Sequence, residues 1–165
     1  MTSTSPPAGP DALARLFRRL VLNVAQLDPS LLDGPLPIVE IHQNLVPYRT
    51  HRAVLAIDTN QDYEMTLLRL LAGDGGFARV EPDEVRALFE RETGAANPET
   101  GIFRRFPSAT VRLEPDQVRG VLGGLDSARR ERELELAGSA EAPAPAVAAP
   151  PVRAGDVREP AFEIA

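Results

Sequence analysis

Residues 78–89 read ARVEPDEVRALF, and residues 111–122 read VRLEPDQVRGVL. The two segments begin 33 positions apart, and six of their twelve residues are identical. In each segment an arginine stands between two apolar residues, which is the alternation of a strand with one buried face. A proline with acidic neighbours follows, and apolar residues then recur at helical spacing. Each copy therefore predicts a short strand that leads into a helix.

The two predicted strands can pair as a short two-stranded β-ribbon, with one of the helices covering each face. The origin of the repeat stays open between a true duplication and two independent uses of a common strand–proline–helix unit. Repeat arrays normally need three or more copies, and this chain has two. Both origins predict the same local structure.

The chain before the first copy predicts helices. Apolar residues at positions i, i+3, i+4 and i+7 between Pro10 and Gln26 form one face of a helix. Residues 28–35 contain two prolines and a glycine and predict a connector. For residues 37–46 we favour a helix over the alternative, a β-branched strand at Ile38–Ile41.

Two further helices are predicted before the repeat. A short one can run from Pro47 to about Ala56. The next begins after Thr59, a good N-cap residue, and extends through Leu71. Gly73 is well placed to end it in a left-handed conformation.

The C-terminal part of the sequence has too few apolar residues at helical spacing to form a buried helix face. Residues 126–137 predict a solvated helix after the Gly123-Gly124 pair, and residues 138–165 predict a disordered arm rich in Ala and Pro. Residues 1–9 predict a disordered N-terminus. The predicted fold class is therefore mainly α (α+β), with a single small domain over residues 10–125 and a possible β-ribbon.

Composition argues against several functions. The net charge of −6 disfavours nucleic acids and anionic membranes as partners, since both require a cationic surface. The chain has no cysteine, which excludes a thiol nucleophile and a thiolate metal site. We expect a cytoplasmic protein, because the sequence contains neither a signal peptide pattern nor an apolar run of membrane-spanning length.

Metal and cofactor chemistry is not predicted. The chain has two histidines, His42 and His51, which with Glu40 match no ligand spacing that fixes a coordination geometry. We interpret His42 as a satisfied core histidine. The glycine pairs lack the spacing and the lysine of phosphate-binding loops, so we expect no cofactor and no catalytic residue.

The run Pro47-Tyr48-Arg49-Thr50-His51-Arg52 is the most function-like segment. Arg49 and Arg52 are three positions apart on a predicted helix, near its N-terminus, where N–H groups and guanidinium groups can bind a phosphate or a carboxylate. The alternative that we favour is salt bridges from these two arginines to nearby carboxylates, namely Asp58, Asp62 or Glu64.

A second candidate contact is Ile102-Phe103-Arg104-Arg105-Phe106. Arg104 and Arg105 can form a contact patch with the aromatic residues, since arginine and phenylalanine are enriched in interfaces. Equally, Phe103 and Phe106 can anchor a loop in the core while the arginines are solvated. The sequence leaves both interpretations open.

The leading functional hypothesis is a non-catalytic interaction or adaptor module. Its partner is another protein, or a second copy in a homo-oligomer, and its arm presents Phe162 and Ile164 as a docking peptide. One alternative is a nucleic-acid-associated regulator with a winged-helix-like plan. A second alternative is a protein that binds a small anion through Arg49 and Arg52.

Overall fold

A computed structural model describes residues 10–139 of the chain. In this part the fold is mainly α-helical with a small antiparallel sheet, and the predicted fold class is confirmed. The chain divides into two compact units, Met1–Ser127 and Ala128–Ala165. The predicted disordered segments, residues 1–9 and the arm after Ser139 with Phe162 and Ile164, lie outside the described residues.

The helices and strands of residues 10–139 follow the predicted order closely. The helices are α1 (Pro10–Leu27), α2 (Ile38–Glu40, continued by a π-helical turn Ile41–Leu45), α3 (Tyr48–Leu55), α4 (Asn60–Ala72), α5 (Asp83–Thr93) and α6 (Pro115–Ser139). The strands are β1 (Leu36–Pro37), β2 (Ala78–Glu81) and β3 (Thr110–Leu113). Short 3-10 turns cover Pro29–Leu32, Asp74–Gly76 and Ile102–Arg105.

Helices α1 and α4 supply the centre of the core. The predicted apolar face of α1 is buried, and Leu20, Val21 and Val24 are all 0% exposed. Leucines of α4 are equally buried, as its wide apolar circumference predicts. Burying each such side chain contributes about 1.5–3 kcal/mol relative to leaving it exposed.

The predicted ribbon exists, and a third strand extends it. Strands β2 and β3 pair antiparallel with Val80 opposite Val111, while β1 pairs with the other side of β3. Strand β1 was not predicted: it lies between the predicted connector, residues 28–35, and the predicted helix over residues 37–46, and includes the first residue of that helix. It has two residues, which is too short for an alternating pattern, and Pro37 cannot donate a ladder hydrogen bond.

One face of the ribbon is buried and the other is exposed. Val80 and Val111 are buried, whereas Arg79 and Arg112 lie opposite each other on the exposed face. The prediction that a helix covers each face is therefore wrong. Two apolar residues per strand provide only one buried face.

Helix α6 is continuous from Pro115 to Ser139, so the predicted helix over residues 126–137 is part of it. The Gly123-Gly124 pair does not break the helix. A glycine costs about 1 kcal/mol relative to alanine in a helix interior, which weakens a helix without ending it. Side chains from residue 128 to residue 138 are exposed.

A short junction connects the C-terminus of α3 to the N-terminus of α4. Ala56 ends α3 in a left-handed conformation with φ of 51°. Thr59 then caps α4, as predicted, and its hydroxyl accepts a hydrogen bond of 3.0 Å from the backbone N–H of Asp62. Gly73 ends α4 with φ of 93°, also as predicted.

Candidate functional site

A cleft of about 430 Å³ lies between the π-helical turn, the first residues of α3 and α4, and the 3-10 turn Ile102–Arg105. These four segments come from distant parts of the sequence. The side chains that line the cleft are His42, Pro47, Tyr48, Arg49, Asn60, Tyr63, Phe103 and Arg104. Three predicted contact residues, Tyr48, Arg49 and Arg104, thus share one site.

Arg49 lies in the first turn of α3 and is exposed. The residue before the helix, Pro47, makes no side-chain cap, and the first N–H groups of a helix have no acceptor within it. Within residues 10–139, the guanidinium groups of Arg49 and Arg52 make no hydrogen bond or ion pair. Arg49 therefore presents uncommitted donors at the rim of the cleft.

The predicted salt bridges from Arg49 and Arg52 to Asp58, Asp62 or Glu64 are wrong. The carboxylate of Asp62 accepts a hydrogen bond of 2.6 Å from the hydroxyl of Thr59. The carboxylate of Glu64 is bound to Arg104 instead. Asp62 and Glu64 are therefore bound to Thr59 and Arg104, and Arg49 and Arg52 pair with neither of them.

Sequence reasoning named Glu64 only as a possible partner of Arg49 and Arg52, and missed its place beside the cleft with Arg104. Glu64 is 8% exposed and projects from the largely apolar α4. Its carboxylate accepts hydrogen bonds from Asn60 Nδ2 (2.8 Å), Thr100 Oγ1 (2.9 Å) and Arg104 Nη2 (2.5 Å). The only sequence signal was a charged residue among the apolar positions of a helix, since charged residues are seldom buried without a partner.

The hydrogen bonds to Glu64 outweigh the effect of its burial. Burial alone raises the pKa of the Glu64 carboxyl, because it disfavours the charged form. Hydrogen bonds from Thr100, Arg104 and Asn60, together with the charge of Arg104, lower this pKa by more, so the net shift is downward. Glu64 is therefore a committed carboxylate that holds Arg104 at the cleft.

His42 is half-buried in the cleft wall, with its ring centroid 5.4 Å from that of Phe103. Within residues 10–139 its imidazole makes no hydrogen bond, so the interpretation as a satisfied core histidine is wrong. Burial lowers the pKa of His42, and the charge of Arg104 lowers it further against a smaller opposite effect of Glu64.

Two tyrosines complete the cleft. Tyr63 is 3% exposed, and its hydroxyl donates to the backbone carbonyl of Val46 at 2.6 Å. Burial raises the pKa of this phenol. Tyr48 is half-buried, and its hydroxyl donates to the carbonyl of Asp58 at 2.6 Å. The two ring centroids are 5.5 Å apart.

The remaining predicted contact residues lie apart from the cleft lining. Arg52 is exposed further along α3, and Arg105 pairs with Glu99 at 2.6 Å. The structure agrees with the interpretation of the 102–106 segment as an anchored loop, and the contact patch of Arg104 and Arg105 stays a prediction. Phe103 anchors the turn in the core and Phe106 packs on Phe89 with centroids 5.8 Å apart, while both arginines form ion pairs.

His51 serves a structural role at a second, smaller cleft. Its Nε2 lies 3.0 Å from Asn23 Nδ2, and its Nδ1 lies 2.8 Å from Thr50 Oγ1.

Within residues 10–139, no group of three or more His, Cys, Asp or Glu side chains is arranged to hold a metal ion. No helix in that range combines the length and the apolar character needed to cross a membrane.

Comparisons of the chain with protein-family models, curated proteins and solved structures find no match. The interpretation of the cleft therefore depends on its own geometry and chemistry.

Proposed function

We propose that the protein is a non-catalytic binding module whose cleft takes an acidic side chain of a partner protein. The observation that carries the proposal is the uncommitted guanidinium of Arg49, which lines the same cleft as Arg104. Guanidinium–carboxylate hydrogen bonds are about twice as strong as those between neutral groups, and arginine is enriched in interfaces.

The local electrostatics support an anionic ligand. At His42 the charge of Arg104 has a larger effect on the pKa than the opposing charge of Glu64. The same order holds at Tyr63, on the neighbouring wall. These two directions support a positive potential from this pair at His42 and Tyr63, although the chain as a whole carries a net charge of −6. An acidic group gains most from this cleft when water is displaced from around it.

Binding fits the cleft better than catalysis. The carboxylate of Glu64 already accepts hydrogen bonds from three donors. A general base must be free to take a proton from its substrate. Arg49 and the remaining N–H groups of Arg104 are donors that recognise charge and move no proton. The imidazole of His42 also lines the cleft, but within residues 10–139 it is hydrogen-bonded to no nucleophile and to no carboxylate that would orient it.

A protein partner fits better than a nucleic acid. The arginines of the exposed ribbon face are paired with carboxylates of the same chain: Arg79 with Asp83 at 3.4 Å, and Arg112 with Glu81 at 3.2 Å. A nucleic-acid surface requires uncompensated positive charge along the phosphate backbone. The expectations of a homo-oligomer and of a cytoplasmic location stay predictions.

A second candidate is binding of a small inorganic anion. It is favoured by the start of α3, where Pro47 supplies no side-chain cap and the first N–H groups have no acceptor within the helix. Phosphate at this position would contact the helix N-terminus and Arg49 without a protein partner.

A titration followed by ¹⁵N-detected NMR tests the proposal. The full chain is titrated with the acetylated, amidated peptide Gly-Glu-Glu-Gly and, separately, with inorganic phosphate. We expect peptide-dependent shifts at Tyr48, Arg49 and Arg104, and about tenfold weaker binding by Arg49→Gln. Arg52→Gln is the matched control, because Arg52 is on the same helix but outside the lining.

The outcomes separate the candidates. Shifts with peptide but not with phosphate support the proposal. Shifts with phosphate alone replace it with the small-anion function. No shift at the cleft with either probe, or equal losses in the two arginine variants, refutes the assignment of the cleft.

A further inference from the structure

Four of the side chains that line the cleft are aromatic rings. His42 packs against Phe103 at 5.4 Å with a 58° tilt, and Tyr48 packs against Tyr63 at 5.5 Å with a 43° tilt. Both tyrosine hydroxyls are bound to backbone carbonyls at 2.6 Å. The tyrosines therefore offer the cleft the surfaces of their rings and not their polar ends.

The polar groups that remain available are few and lie together. One N–H of Asn60 Nδ2 is used by Glu64, which leaves the rest of that amide, Arg49, the other N–H groups of Arg104 and the imidazole of His42. Arg104 also lies over the ring of Phe103, with its guanidinium carbon 5.5 Å from the ring centroid. The cationic and aromatic surfaces thus adjoin each other.

The charge at the cleft matches one carboxylate. Arg49 and Arg104 are positive and Glu64 is negative, so the sum of these three groups is a single positive charge. A ligand with several charges, such as a nucleoside di- or triphosphate, would keep most of its charge uncompensated. A carboxylate also fills little of the roughly 430 Å³, which leaves room for a ring beside it.

We infer that the partner segment carries an aromatic residue next to the acidic residue that Arg49 and Arg104 bind. The carboxylate takes the guanidinium donors, and the neighbouring ring covers Tyr48 and His42. Aromatic pairs in tilted arrangements stabilise a complex beyond the area that they bury. This inference rests on the proposed function and specifies the chemistry of its ligand.

Three acetylated, amidated tetrapeptides test the inference on the full chain: Gly-Phe-Glu-Gly, Gly-Ala-Glu-Gly and Gly-Phe-Gln-Gly. We expect the first to bind about tenfold more tightly than either of the others in an NMR titration. In its complex, nuclear Overhauser contacts should connect the phenylalanine ring of the peptide with the ring protons of Tyr48 and His42. Arg52→Gln should bind all three peptides as the unchanged chain does.

The outcomes distinguish the inferred aromatic requirement from the proposed binding of an acidic segment. Equal binding of the Ala-Glu and Phe-Glu peptides, or Overhauser contacts to residues outside the cleft, overturns the aromatic requirement and leaves an acidic-segment module. Equal binding of the Phe-Gln and Phe-Glu peptides overturns both. An unchanged amide spectrum of Arg49→Gln shows that its loss of binding is not a loss of fold.

Discussion

Arg104 Nη2 lies 2.5 Å from Oε1 of Glu64, and this ion pair joins the 3-10 turn Ile102–Arg105 to helix α4 across 40 positions of sequence. The pair is asymmetric. The Arg104 side chain is 53% exposed, whereas that of Glu64 is 10% exposed. Glu64 is the buried end of the pair, and Arg104 is the end that lines the cleft.

Glu64→Gln should destabilise the domain by about 1–3 kcal/mol, because a neutral amide replaces a buried acceptor of charge-assisted hydrogen bonds. Urea denaturation followed by circular dichroism measures the change. The control is Glu99→Gln, which breaks the exposed pair with Arg105 and should cost less than about 1 kcal/mol. Similar losses in the two variants would contradict the structural role of Glu64.

Stability should depend on pH through Glu64. Its pKa is lowered from the ordinary value of 4.5 in the folded protein, so the unfolded chain binds the proton more tightly. The stabilisation is therefore complete above the unfolded pKa and is lost as the pH falls through the folded pKa. The unfolding free energy of the unchanged chain, measured between pH 7 and pH 3, should fall more than that of Glu64→Gln. Parallel curves would rule out a lowered pKa at Glu64.

Gly101→Ala should impair binding more than folding. A Cβ at Gly101 would lie 3.0 Å from Arg104 Nη1, the flexible end of that side chain, and 3.6 Å from Glu64 Oε2. The added methyl group must displace the guanidinium, while the backbone φ of −88° suits alanine. We expect several-fold weaker binding of the acidic peptides. Gly94→Ala, whose Cβ would meet atoms no closer than 3.8 Å, should bind normally.

The imidazole of His42 should titrate below its ordinary pKa of 6.5, first because it is desolvated and second because Arg104 is near. Arg104→Gln should raise this pKa, and Arg105→Gln should leave it unchanged. The chemical shifts of the imidazole protons, followed against pH, report both effects. Because the pKa of His42 is lowered in the folded protein, the unfolded chain binds the proton more tightly. The free energy of unfolding should therefore decrease as the pH falls from above 6.5 toward the folded pKa of His42. A pKa above 6.5 would contradict the positive potential assigned to the cleft.

Local patterns in the sequence predicted much of the fold. The periodicity of α1, the caps at Thr59 and Gly73, and the alternation in β2 and β3 each involve residues within a few positions of one another. Strand β1 was missed because it is defined by its pairing with β3, which lies more than 70 positions later in the sequence. Physical causes that act within one turn or one strand are readable from sequence, and distant pairing is not.

The candidate site was predicted only in part for the same reason. Arg49 was recognised from its place at a predicted helix start, but the spacing that suggested Arg49 and Arg52 as a pair does not bring Arg52 to the cleft. Glu64 depends on Thr100 and Arg104, which lie 36 and 40 positions away. No local pattern connects these three residues.

A charge reversal tests the central claim most directly. Arg49→Glu and Arg52→Glu make the same change of charge on the same helix, and only the first alters the lining of the cleft. In an NMR titration with the capped peptide Gly-Phe-Glu-Gly, we expect Arg49→Glu to lose binding and Arg52→Glu to stay within about twofold of the unchanged chain. Equal effects of the two reversals would show that peptide affinity follows overall charge, and would contradict a binding cleft built around Arg49 and Arg104.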